Sequence, residues 1–563
     1  MNIFCVDSFY AQTLRDLGHS VLDPDLPPGL VHLPSLLRRY DFEPDLLIQQ
    51  ERLAPRLLFS GLEEIACPTA FISIDAHLNM FWHKYYVRLF DVLFTPHISL
   101  FASLDRRERP PQTRRFAPAG QDLPFRAHAA RKHALSFAGV LTEHRPSRLE
   151  MVRLLSEKCG LYQPEGILGQ GDMLDLFCDS RLIPNESIAL EVNFRLFEGL
   201  SCGALVLGQD LGSDQDAFFE PGLEYETYSN AIELLEKIEF YLKRPQASEK
   251  IARAGWKRIQ EQYLPAHRAG QLLQAAGSAR SRAAGQEGWR YLWLALAQLT
   301  RSGTVSLPVD WFLGRLDELR EDSLVEAMRL RLLLEGAHPE NILYSREQAG
   351  RYMEEAYRLT AVMLRSGAHE TSLECNLAGS MASVVLHRPD WARAFWLRQL
   401  KSRGLPEGVS AASADTAPSP GYYLAWGNLL FALRRYAQVG FSFNPRNGHL
   451  PQCAFECLLL ALEEGAEQRD LLPAMLRVCG KVPAFSYLEM GFLAEMSLLR
   501  EESWNFQLLY GAKALENYRV EAGLYEIGAA REKALLAGNG DEFKTALEAL
   551  PASAYIFSAL DKF

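Results

Sequence analysis

The sequence predicts an α/β plus all-α protein, in which two Rossmann-like domains facing a cleft precede a tetratricopeptide-like α-helical repeat region. In the first half of the chain, short apolar runs alternate with amphipathic helical patterns, as parallel α/β folds require. From about residue 289 to 550 the strand signals vanish and helical patterns follow one another. The predicted domains comprise residues 1–124, 125–276 and 285–563 of the 563-residue chain.

The first predicted domain begins with a buried strand over residues 1–6 and a helix over 11–17, which Gly18 ends. It closes with a proline-containing stretch whose clustered arginines, from Arg106 to Arg115, indicate an exposed linker. Its further strands are predicted at residues 19–22, 46–50, 69–74 and 91–95.

The second predicted domain repeats the α/β pattern. Its helix over residues 147–158 carries Leu149, Val152 and Leu155 on one face. The other elements are predicted strands at 135–140, 181–183 and 204–207, a helix beginning at 194–200, and helices at 231–242 and 247–273. Since ligands of such sheets bind outside the carboxyl ends of the strands, a nucleotide is expected in the cleft between the domains.

In the helical half, a Gly-Ser-Ala sequence at 277–279 indicates a hinge, and the Gly-, Pro-, Ser- and Ala-rich segment 404–421 indicates a flexible loop. Segments 422–436 and 452–464 resemble helices of tetratricopeptide pairs. A clean period of 34 residues is missing, so another irregular helical repeat remains open.

Composition excludes several classes. The net charge of −11 argues against nucleic-acid binding, which requires clustered cations. The amino-terminal residues lack a signal peptide's basic and apolar regions, and no run approaches the about 18 apolar residues of a membrane span. The nine cysteines include no Cys-x-x-Cys pair, which predicts neither zinc nor disulfides. We therefore expect a cytoplasmic protein with reduced thiols.

The stretch 193–207 (NFRLFEGLSCGALVL) is the most informative part of the sequence. The small residues Gly199, Ser201 and Gly203 predict a helix that lies close to the following strand. Glu198 falls in the first turns of this helix, near the positive end of its dipole. There a carboxylate can accept hydrogen bonds from a ribose while the helix amides face a pyrophosphate. A pairing of Glu198 with Arg195 at i, i+3 explains the same spacing and stays open.

Together with residues 218–224 (FFEPGLE), this stretch resembles the donor-site signature of GT-B glycosyltransferases, and it is most similar to the CgeB-like bacterial family. The resemblance extends to 73–77, 89–94, 136–139, 183–185 and 267–268, so that it spans about half of the chain. It implies a GT-B fold with the acceptor on the first domain, the donor on the second, and Glu198 on the donor ribose. The implied donor-binding residues are Glu198, Arg195, Gly139, Arg145, Arg148, Asn185 and Gly203.

Asp75 and His77 end a predicted strand of the first domain and are expected to point into the cleft opposite Glu198. Sugar transfer requires a base for the proton of the acceptor hydroxyl, and a carboxylate or an imidazole can supply it. We therefore predict that Asp75 or His77 is the catalytic base. The alternatives are that Asp75 caps the next helix and that His77 is a satisfied loop residue. Asp7 and Ser8 are expected to form a turn, with acceptor contact as the alternative.

Two acidic pairs have the D-x-D spacing of metal-dependent transferases, Asp23 with Asp25 and Asp214 with Asp216. The first lies in a proline-rich loop and the second in a turn containing Gly and Ser, which predicts solvated loops and no metal or other cofactor. In a GT-B site, helix amino termini and arginines stabilise the leaving diphosphate instead. The candidates are Arg145, Arg148 and Arg195.

The resemblance implies a hexosyltransferase-type enzyme that moves a sugar from a nucleotide donor, a UDP-sugar, to a hydroxyl. Stacked helices form extended binding surfaces, which favours a polypeptide acceptor held by the helical region. Some bacterial flagellin glycosyltransferases are similar in layout, so that Ser or Thr of a flagellin-like protein is the predicted acceptor. A glycan or lipopolysaccharide acceptor, or a scaffold that binds nucleotide sugar without turnover, remains open.

Overall fold

The computed structural model describes residues 1–562 except 54–55, 105–108, 111, 190, 278–284, 317–318, 320–321 and 406–417. Most of the predicted hinge at 277–279 and of the predicted flexible loop at 404–421 therefore lies outside the described residues, as do Arg106 and Arg107.

The strands form two larger parallel sheets and a two-stranded one. The six-stranded sheet has the order β2-β1-β4-β6-β7-β8, with parallel pairing from β2 through β7. The four-stranded sheet, β12-β11-β10-β9, is parallel throughout, and β3 pairs with β5 in parallel. The strands are β1 (Asn2–Val6), β2 (Ser20–Leu22), β3 (Gly29–His32), β4 (Leu46–Gln50), β5 (Leu57–Ser60), β6 (Thr69–Ile72), β7 (Val92–Thr95), β8 (Thr113–Arg115), β9 (His133–Leu135), β10 (Ser180–Asn185), β11 (Leu205–Gln209) and β12 (Glu226–Tyr228).

Helices connect these strands, and in the described residues after 285 the regular elements are helices, without a strand. Those of the first half are α1 (Ala11–Asp16), α2 (Leu33–Arg39), α3 (Ala76–Tyr86), α4 (Ile98–Ala102), α5 (Pro146–Cys159), α6 (Gln170–Cys178), α7 (Phe194–Ser201), α8 (Ser213–Asp216), α9 (Ala231–Lys243), α10 (Pro245–Gln262) and α11 (Pro265–Gly277). Those of the second half are α12 (Gly285–Arg301), α13 (Val309–Leu313), α14 (Ser323–Ala337), α15 (Arg346–Arg365), α16 (Leu373–Val385), α17 (Pro389–Ser402), α18 (Pro420–Ala432), α19 (Ala454–Glu463), α20 (Gln468–Cys479), α21 (Ser486–Leu499), α22 (Trp504–Glu516), α23 (Val520–Leu536), α24 (Gly540–Glu548) and α25 (Ser553–Leu560). Within the described residues no helix is both long and apolar enough to cross a bilayer.

The chain forms two compact units, and each contains one of the larger sheets together with part of the helical half. Unit 1 comprises residues 1–95, 100–114 and 274–478, and unit 2 comprises residues 96–99, 115–273 and 479–563. The three domain ranges given by the sequence, 1–124, 125–276 and 285–563, stay predictions, as does a repeat among the helices.

In unit 1, the core of the six-stranded sheet continues into the helical half. Phe4 and Leu47 of the sheet share one buried apolar cluster with Trp293 of α12, Phe312 of α13 and Phe441. Because these large side chains are buried together, the helices from α12 onward supply part of the apolar surface that stabilises the first sheet.

In unit 2, the last helices cover the four-stranded sheet in the same way. Tyr518, between α22 and α23, lies in one apolar cluster with Leu182 of β10 and Tyr228 of β12. Ile232 of α9 packs with Trp504 of α22 in a neighbouring cluster. The carboxy-terminal helices are thus part of the core of the second sheet.

The parallel sheets confirm the α/β prediction, and three local predictions need correction. The strand predicted at 135–140 is β9 at His133–Leu135, because only these residues form the ladder with β10. The expected single helix over 247–273 is two helices, because Pro265 cannot donate a backbone hydrogen bond and starts a new helix after Tyr263. The expected linker contains β8, whose neighbour Gln112 accepts a hydrogen bond from the backbone N–H of Leu93 at 2.8 Å. The strands β3, β5 and β12 were not predicted; β8 and β12 are only three residues long.

Candidate active site

The carboxyl edge of the sheet in unit 2 collects most of the residues that the sequence singles out. Here β9 and β10 end and helices α5 and α7 begin. Pro146 in the first turn of α5 has no backbone N–H to satisfy. Asn193 caps α7, its side-chain oxygen accepting a hydrogen bond from the N–H of Leu196 at 3.3 Å. The first-turn amides of α7 therefore point to the same edge at which β10 ends.

Arg195 is fixed across this edge by the ends of both strands. Its guanidinium donates to the backbone oxygen of Ala138 and to Oδ1 of Asn185, both at 3.2 Å. It also lies 4.6 Å from the centre of the Phe137 ring. A Cβ atom at Gly139 would clash with Nη2 of Arg195, so a larger residue there would displace the guanidinium from its present position. The structure thus brings Gly139, Asn185 and Arg195 together, as predicted.

The charge of Arg195 is available at this edge. Burial lowers the pKa of Arg195 to about 10, with a further contribution from the nearby cation of Arg148. Glu186 and Glu198 oppose this shift. Because a pKa of about 10 keeps the guanidinium protonated at neutral pH, Arg195 remains a cation that can bind a diphosphate.

Arg148 lies at the same edge, in a buried ion pair. Its Nε donates to Oε2 of Glu186 at 2.6 Å and its Nη2 to the Glu186 backbone oxygen at 3.1 Å. Burial raises the pKa of Glu186, although the charge and hydrogen bond of Arg148 oppose it. Arg148 therefore supports the end of β10. Arg145 precedes the first residue of α5, is partly exposed, and donates its backbone N–H to Thr142 at 2.9 Å.

Glu198 is half-buried in the second turn of α7, one turn after Arg195. Burial raises its pKa and the charge of Arg195 lowers it, so the two side chains influence each other as an i, i+3 pair does. A Cβ at Gly199 would stand 2.7 Å from Cγ2 of Val206, which confirms that α7 lies close against β11.

Gly203 lies away from this group. It follows α7 with φ +66° and precedes β11, so it stands at the amino end of that strand, whereas the other predicted donor residues stand at the carboxyl end. A Cβ atom at Gly203 would approach the Phe125 ring to 2.8 Å. The backbone oxygen of Gly203 lies 3.2 Å from Nε2 of His128. Gly203 is therefore a turn residue, and it lies apart from the other predicted donor-binding residues at the carboxyl edge.

In unit 1, the connection between β6 and α3 holds the two predicted catalytic residues. Asp75 directly precedes α3 and, within the described residues, makes no side-chain capping hydrogen bond to its first turn. The structure thus does not support the capping alternative. His77 is buried in the first turn, and burial lowers its pKa, opposed by the charges of Asp75 and Glu51. A lowered pKa keeps the imidazole neutral at neutral pH, which is the form that accepts a proton.

Glu51, which sequence reasoning missed, organises this connection. Its side chain is fully buried directly after β4. It accepts hydrogen bonds from the backbone of Ile74 and Asp75 at 2.7 and 2.9 Å and from Nδ2 of Asn79 at 2.6 Å. Burial acts to raise its pKa, but His83 and the backbone donors outweigh this, and the pKa is lowered. The sequence does contain one signal for this role, since Glu51 is a charged residue directly after an apolar strand.

The remaining acidic candidates have structural partners. Asp7 adopts φ +56° and pairs with Arg52 at 2.6 Å, which favours the turn interpretation over acceptor contact. Asp214 accepts from Nη1 of Arg115 at 3.1 Å, and Asp216 accepts from the hydroxyl of Tyr225 at 3.2 Å. Across the described residues, no group of three or more His, Cys, Asp or Glu is placed to hold a metal ion.

Each unit contains a parallel, Rossmann-like sheet, as the two domains of GT-B glycosyltransferases do, and the helix after a central strand of the second sheet carries Arg195 and Glu198. Residues 143–274 match the family model described as "Glycosyl transferase-like". The matched range contains α5, β10, α7 and β11, and with them Arg148, Asn185, Arg195 and Glu198. The chain is a glycosyltransferase with a GT-B fold.

Several solved structures resemble about half of the chain. A sucrose-phosphate synthase from Thermosynechococcus elongatus is 11% identical over 49% of this chain and 98% of its own, with a TM-score of 0.36. HepE from Anabaena, solved in complex with UDP and glucose, is 11% identical over 49% of this chain and 100% of its own, with a TM-score of 0.34. SnogD from Streptomyces nogalater is 16% identical over 49% of this chain and 99% of its own, with a TM-score of 0.27. The chain has no match among curated protein sequences. Since these TM-scores are below 0.5, the sheet topology and the family match carry the assignment.

Proposed function

We propose that unit 2 binds a UDP-sugar at the carboxyl edge of its sheet and that the enzyme transfers the sugar to Ser or Thr of a polypeptide such as a flagellin. The observation that carries the donor part is the position of Arg195 and Glu198 on the first two turns of α7, beside the end of β10. A CgeB-like relationship, suggested by the motif at 193–207, is part of the same proposal.

The donor fits this edge by charge. The diphosphate lies at the amino end of α7, where free amides and the helix dipole attract anions. Arg195 and Arg145 supply the cations that stabilise the negative charge of the departing UDP. The carboxylate of Glu198 accepts hydrogen bonds from the ribose hydroxyls, and Arg148 stays with Glu186 to hold β10 in place.

The reaction needs one proton acceptor. The acceptor oxygen forms a bond to the anomeric carbon, the bond from that carbon to the UDP oxygen breaks, and the hydroxyl proton goes to Asp75 or His77. Glu51 holds the backbone of Asp75, so that this carboxylate is presented from a rigid connection. His77 is suited to the same step by its lowered pKa. These residues need no metal for either task.

The helical part of unit 1 supports a polypeptide acceptor. A cavity of about 520 Å³ there is lined by polar residues such as Asn341 and Asn444 and by apolar ones such as Leu307 and Leu343. The charge of Arg301 at its wall is paired with Glu335 at 2.6 Å. A lining with both polar and apolar groups suits the backbone and side chains of an extended peptide. It also suits a sugar, so a glycan or lipopolysaccharide acceptor is the second candidate.

A cytoplasmic location belongs to the same proposal. All nine cysteines are free thiols, and several of them are buried. Unpaired thiols of this number suit a reducing compartment.

A donor screen tests the proposal. The purified full-length chain is incubated with a panel of nucleotide sugars, and released nucleotide and intact acceptor mass are measured with flagellin-type protein, with a glycan acceptor or with neither. We expect UDP release from a UDP-sugar and a hexose-sized mass increase on the protein. A mass increase on the glycan alone would select the second candidate, and consumption of only non-UDP donors would reject the UDP assignment.

A further inference from the structure

Three consecutive residues of unit 2, Asn517, Tyr518 and Arg519, join the turn between α22 and α23 to the sheet region that carries the donor edge. Each of the three makes a polar contact there. Asn517 accepts a hydrogen bond from Oγ of Ser147 at 2.6 Å, and Nη2 of Arg519 lies 3.3 Å from Oε1 of Glu150. Both partners are on the first two turns of α5, next to Arg148.

Tyr518 makes the third contact, in the interior. Its hydroxyl lies 2.7 Å from the hydroxyl of Tyr228 on β12, and both side chains are almost fully buried. Tyr228 in turn donates to the backbone oxygen of Asn185 at 3.3 Å. Because the Tyr228 proton is used in that bond, Tyr518 donates its own proton to the oxygen of Tyr228.

The chain of hydrogen bonds ends at the cation of the donor edge. Asn185 accepts from Arg195 through its side chain, while its backbone oxygen accepts from Tyr228. The next residue, Glu186, holds Arg148. Tyr518 therefore fixes, through one intermediate side chain, the strand end that orients both arginines.

The backbone of Tyr518 indicates that this position is constrained. Its φ of +65° lies in the left-handed region, which is uncommon for a residue other than glycine. Such conformations persist where the surrounding contacts determine them, and they are frequent at functional sites. Burial, together with Tyr228 and Glu186, raises the pKa of Tyr518 and keeps its hydroxyl protonated as a donor.

We propose that Tyr518 is a positioning residue of the donor site and that the carboxy-terminal helices thereby complete this site. The proposal rests on the proposed binding of a UDP-sugar at the edge with Arg195. Tyr518 does not touch the donor; it holds the end of β10 at which the donor-binding arginines are oriented. A purely structural tyrosine would contribute to stability alone.

The matched control is a second buried hydroxyl pair in the other unit. The hydroxyl of Tyr422 lies 2.7 Å from Oγ of Ser380 in unit 1, and both residues are buried. Tyr422→Phe therefore makes the same chemical change, at the same hydrogen-bond length, away from unit 2.

The first measurement is the Kd for UDP of the full-length chain and of the variants Tyr518→Phe, Tyr228→Phe and Tyr422→Phe, each with its Tm. We expect Tyr518→Phe and Tyr228→Phe to weaken UDP binding about 3–10-fold, the effect of one hydrogen bond. The double variant Tyr518→Phe/Tyr228→Phe should bind UDP about as tightly as the weaker-binding single variant, because the two hydroxyls act in one chain of hydrogen bonds. Tyr422→Phe should lower Tm similarly and change Kd less than about twofold.

Turnover gives a second criterion. The KM of Tyr518→Phe for the donor should rise with Kd, and kcat at saturating donor should fall as well, because a misplaced Arg195 stabilises the departing UDP less. The kcat of Tyr422→Phe should stay within about twofold of wild type. Equal losses of UDP affinity in Tyr518→Phe and Tyr422→Phe would overturn the proposal, because general destabilisation then explains both. Unchanged affinity in Tyr518→Phe would overturn it directly.

Hydrogen exchange separates this inference from the proposed function. Without any ligand, the amides of residues 183–196 should exchange faster in Tyr518→Phe than in wild type and stay unchanged in Tyr422→Phe. If the wild type binds no UDP, the proposed donor fails, whereas faster exchange in that segment still supports the positioning role. Unchanged exchange in the segment would reject it.

Discussion

The two sheets each carry a buried glutamate directly after a central strand, and the comparison of the two explains how each edge is built. Glu51 follows β4 in unit 1 and Glu186 follows β10 in unit 2. Their side chains are 0% and 3% exposed. Glu51 binds the backbone of Asp75, and Glu186 binds the guanidinium of Arg148. One carboxylate fixes a loop, and the other fixes a cation.

The pKa shifts of the two glutamates have opposite directions. At Glu51 burial acts to raise the pKa, but the charge of His83, whose Nε2 lies 3.3 Å away, and the hydrogen bonds from His83 and two backbone N–H groups outweigh it, so the pKa is lowered. At Glu186 burial dominates and the pKa is raised, although the charge and hydrogen bond of Arg148 oppose it. A cation together with converging N–H donors thus outweighs burial at Glu51, whereas the one guanidinium at Glu186 does not.

The largest expected effect concerns the chemical step, for which we propose a base in unit 1. If Asp75 or His77 is the base, Asp75→Asn or His77→Gln should lower kcat by about 10²–10⁴, the usual contribution of general base catalysis. The Kd for UDP should stay within about twofold, since neither residue belongs to the donor unit. Single-turnover rates and UDP titrations of both variants provide the measurement.

The variant with the larger loss identifies the base. A pair of variants that both retain wild-type kcat would exclude Asp75 and His77 and move the search for the base elsewhere. Loss of UDP binding in either variant would contradict the division of roles between the units.

The next effect concerns stability and compares the two glutamates directly. Glu51→Gln places an amide against three N–H donors and should destabilise by about 3–5 kcal/mol, as for a broken buried charge interaction. Glu186→Gln keeps a hydrogen-bond acceptor but leaves the buried guanidinium of Arg148 without its opposite charge, so it should cost a similar amount, about 3–5 kcal/mol. The measurement is Tm, and both variants should melt below wild type.

The pH dependence of these Tm differences should have opposite signs. The folded pKa of Glu51 is lowered, so its contribution is fully present above the ordinary glutamate pKa of about 4.3 and is lost as pH falls through the folded value. The Tm gap between wild type and Glu51→Gln should narrow on acidification. The folded pKa of Glu186 is raised, so wild type gains relative to Glu186→Gln as pH falls, and that gap should widen. If both Tm gaps narrow, or both widen, as pH falls, the assigned directions of the two pKa shifts are refuted.

How far the sequence predicts this molecule depends on the range of the contacts involved. The sheets follow from local apolar runs, and Arg195, Asn185 and Gly139 meet at one edge because carboxyl ends of parallel strands always do. The roles of Glu51 and Tyr518 depend on partners at 23 and 290 positions' distance in sequence, which no local pattern contains.

The division of the helical half between the units has the same origin. Helix periodicity predicts the apolar face of α12 but not that Trp293 packs with the first sheet. The cores of both units include side chains from beyond residue 285, so a fragment that ends near there lacks part of each core.

A smaller effect tests the donor edge itself. Glu198→Ala should weaken UDP binding by about 1.5–3 kcal/mol, the contribution of hydrogen bonds to a charged group. Titration of UDP into both proteins measures this, with Glu157→Ala, a 54%-exposed glutamate on α5, as the control. Because burial raises the pKa of Glu198, UDP affinity of wild type should fall as pH is lowered from neutrality, and that of Glu198→Gln should not. Wild-type affinity in Glu198→Ala would remove the ribose assignment.

The smallest expected effect is that of metal removal, for which the two acidic pairs are the relevant residues. Oδ1 of Asp214 accepts from Arg115, and the backbone N–H of Ser99 donates to its Oδ2 at 3.3 Å. Oδ1 of Asp216 is bonded to Tyr225, so a divalent ion would have to displace existing donors before it reached this pair. Asp23 and Asp25 are exposed in a loop of unit 1, whereas the proposed diphosphate site lies in unit 2. Under that proposal, Arg195 and the amino end of α7 stabilise the charge of the leaving UDP. UDP release in excess EDTA should therefore stay within about twofold of the untreated rate. A loss of activity that manganese or magnesium restores would contradict this, and the same assay on Asp214→Asn and Asp23→Asn would then show which pair holds the ion.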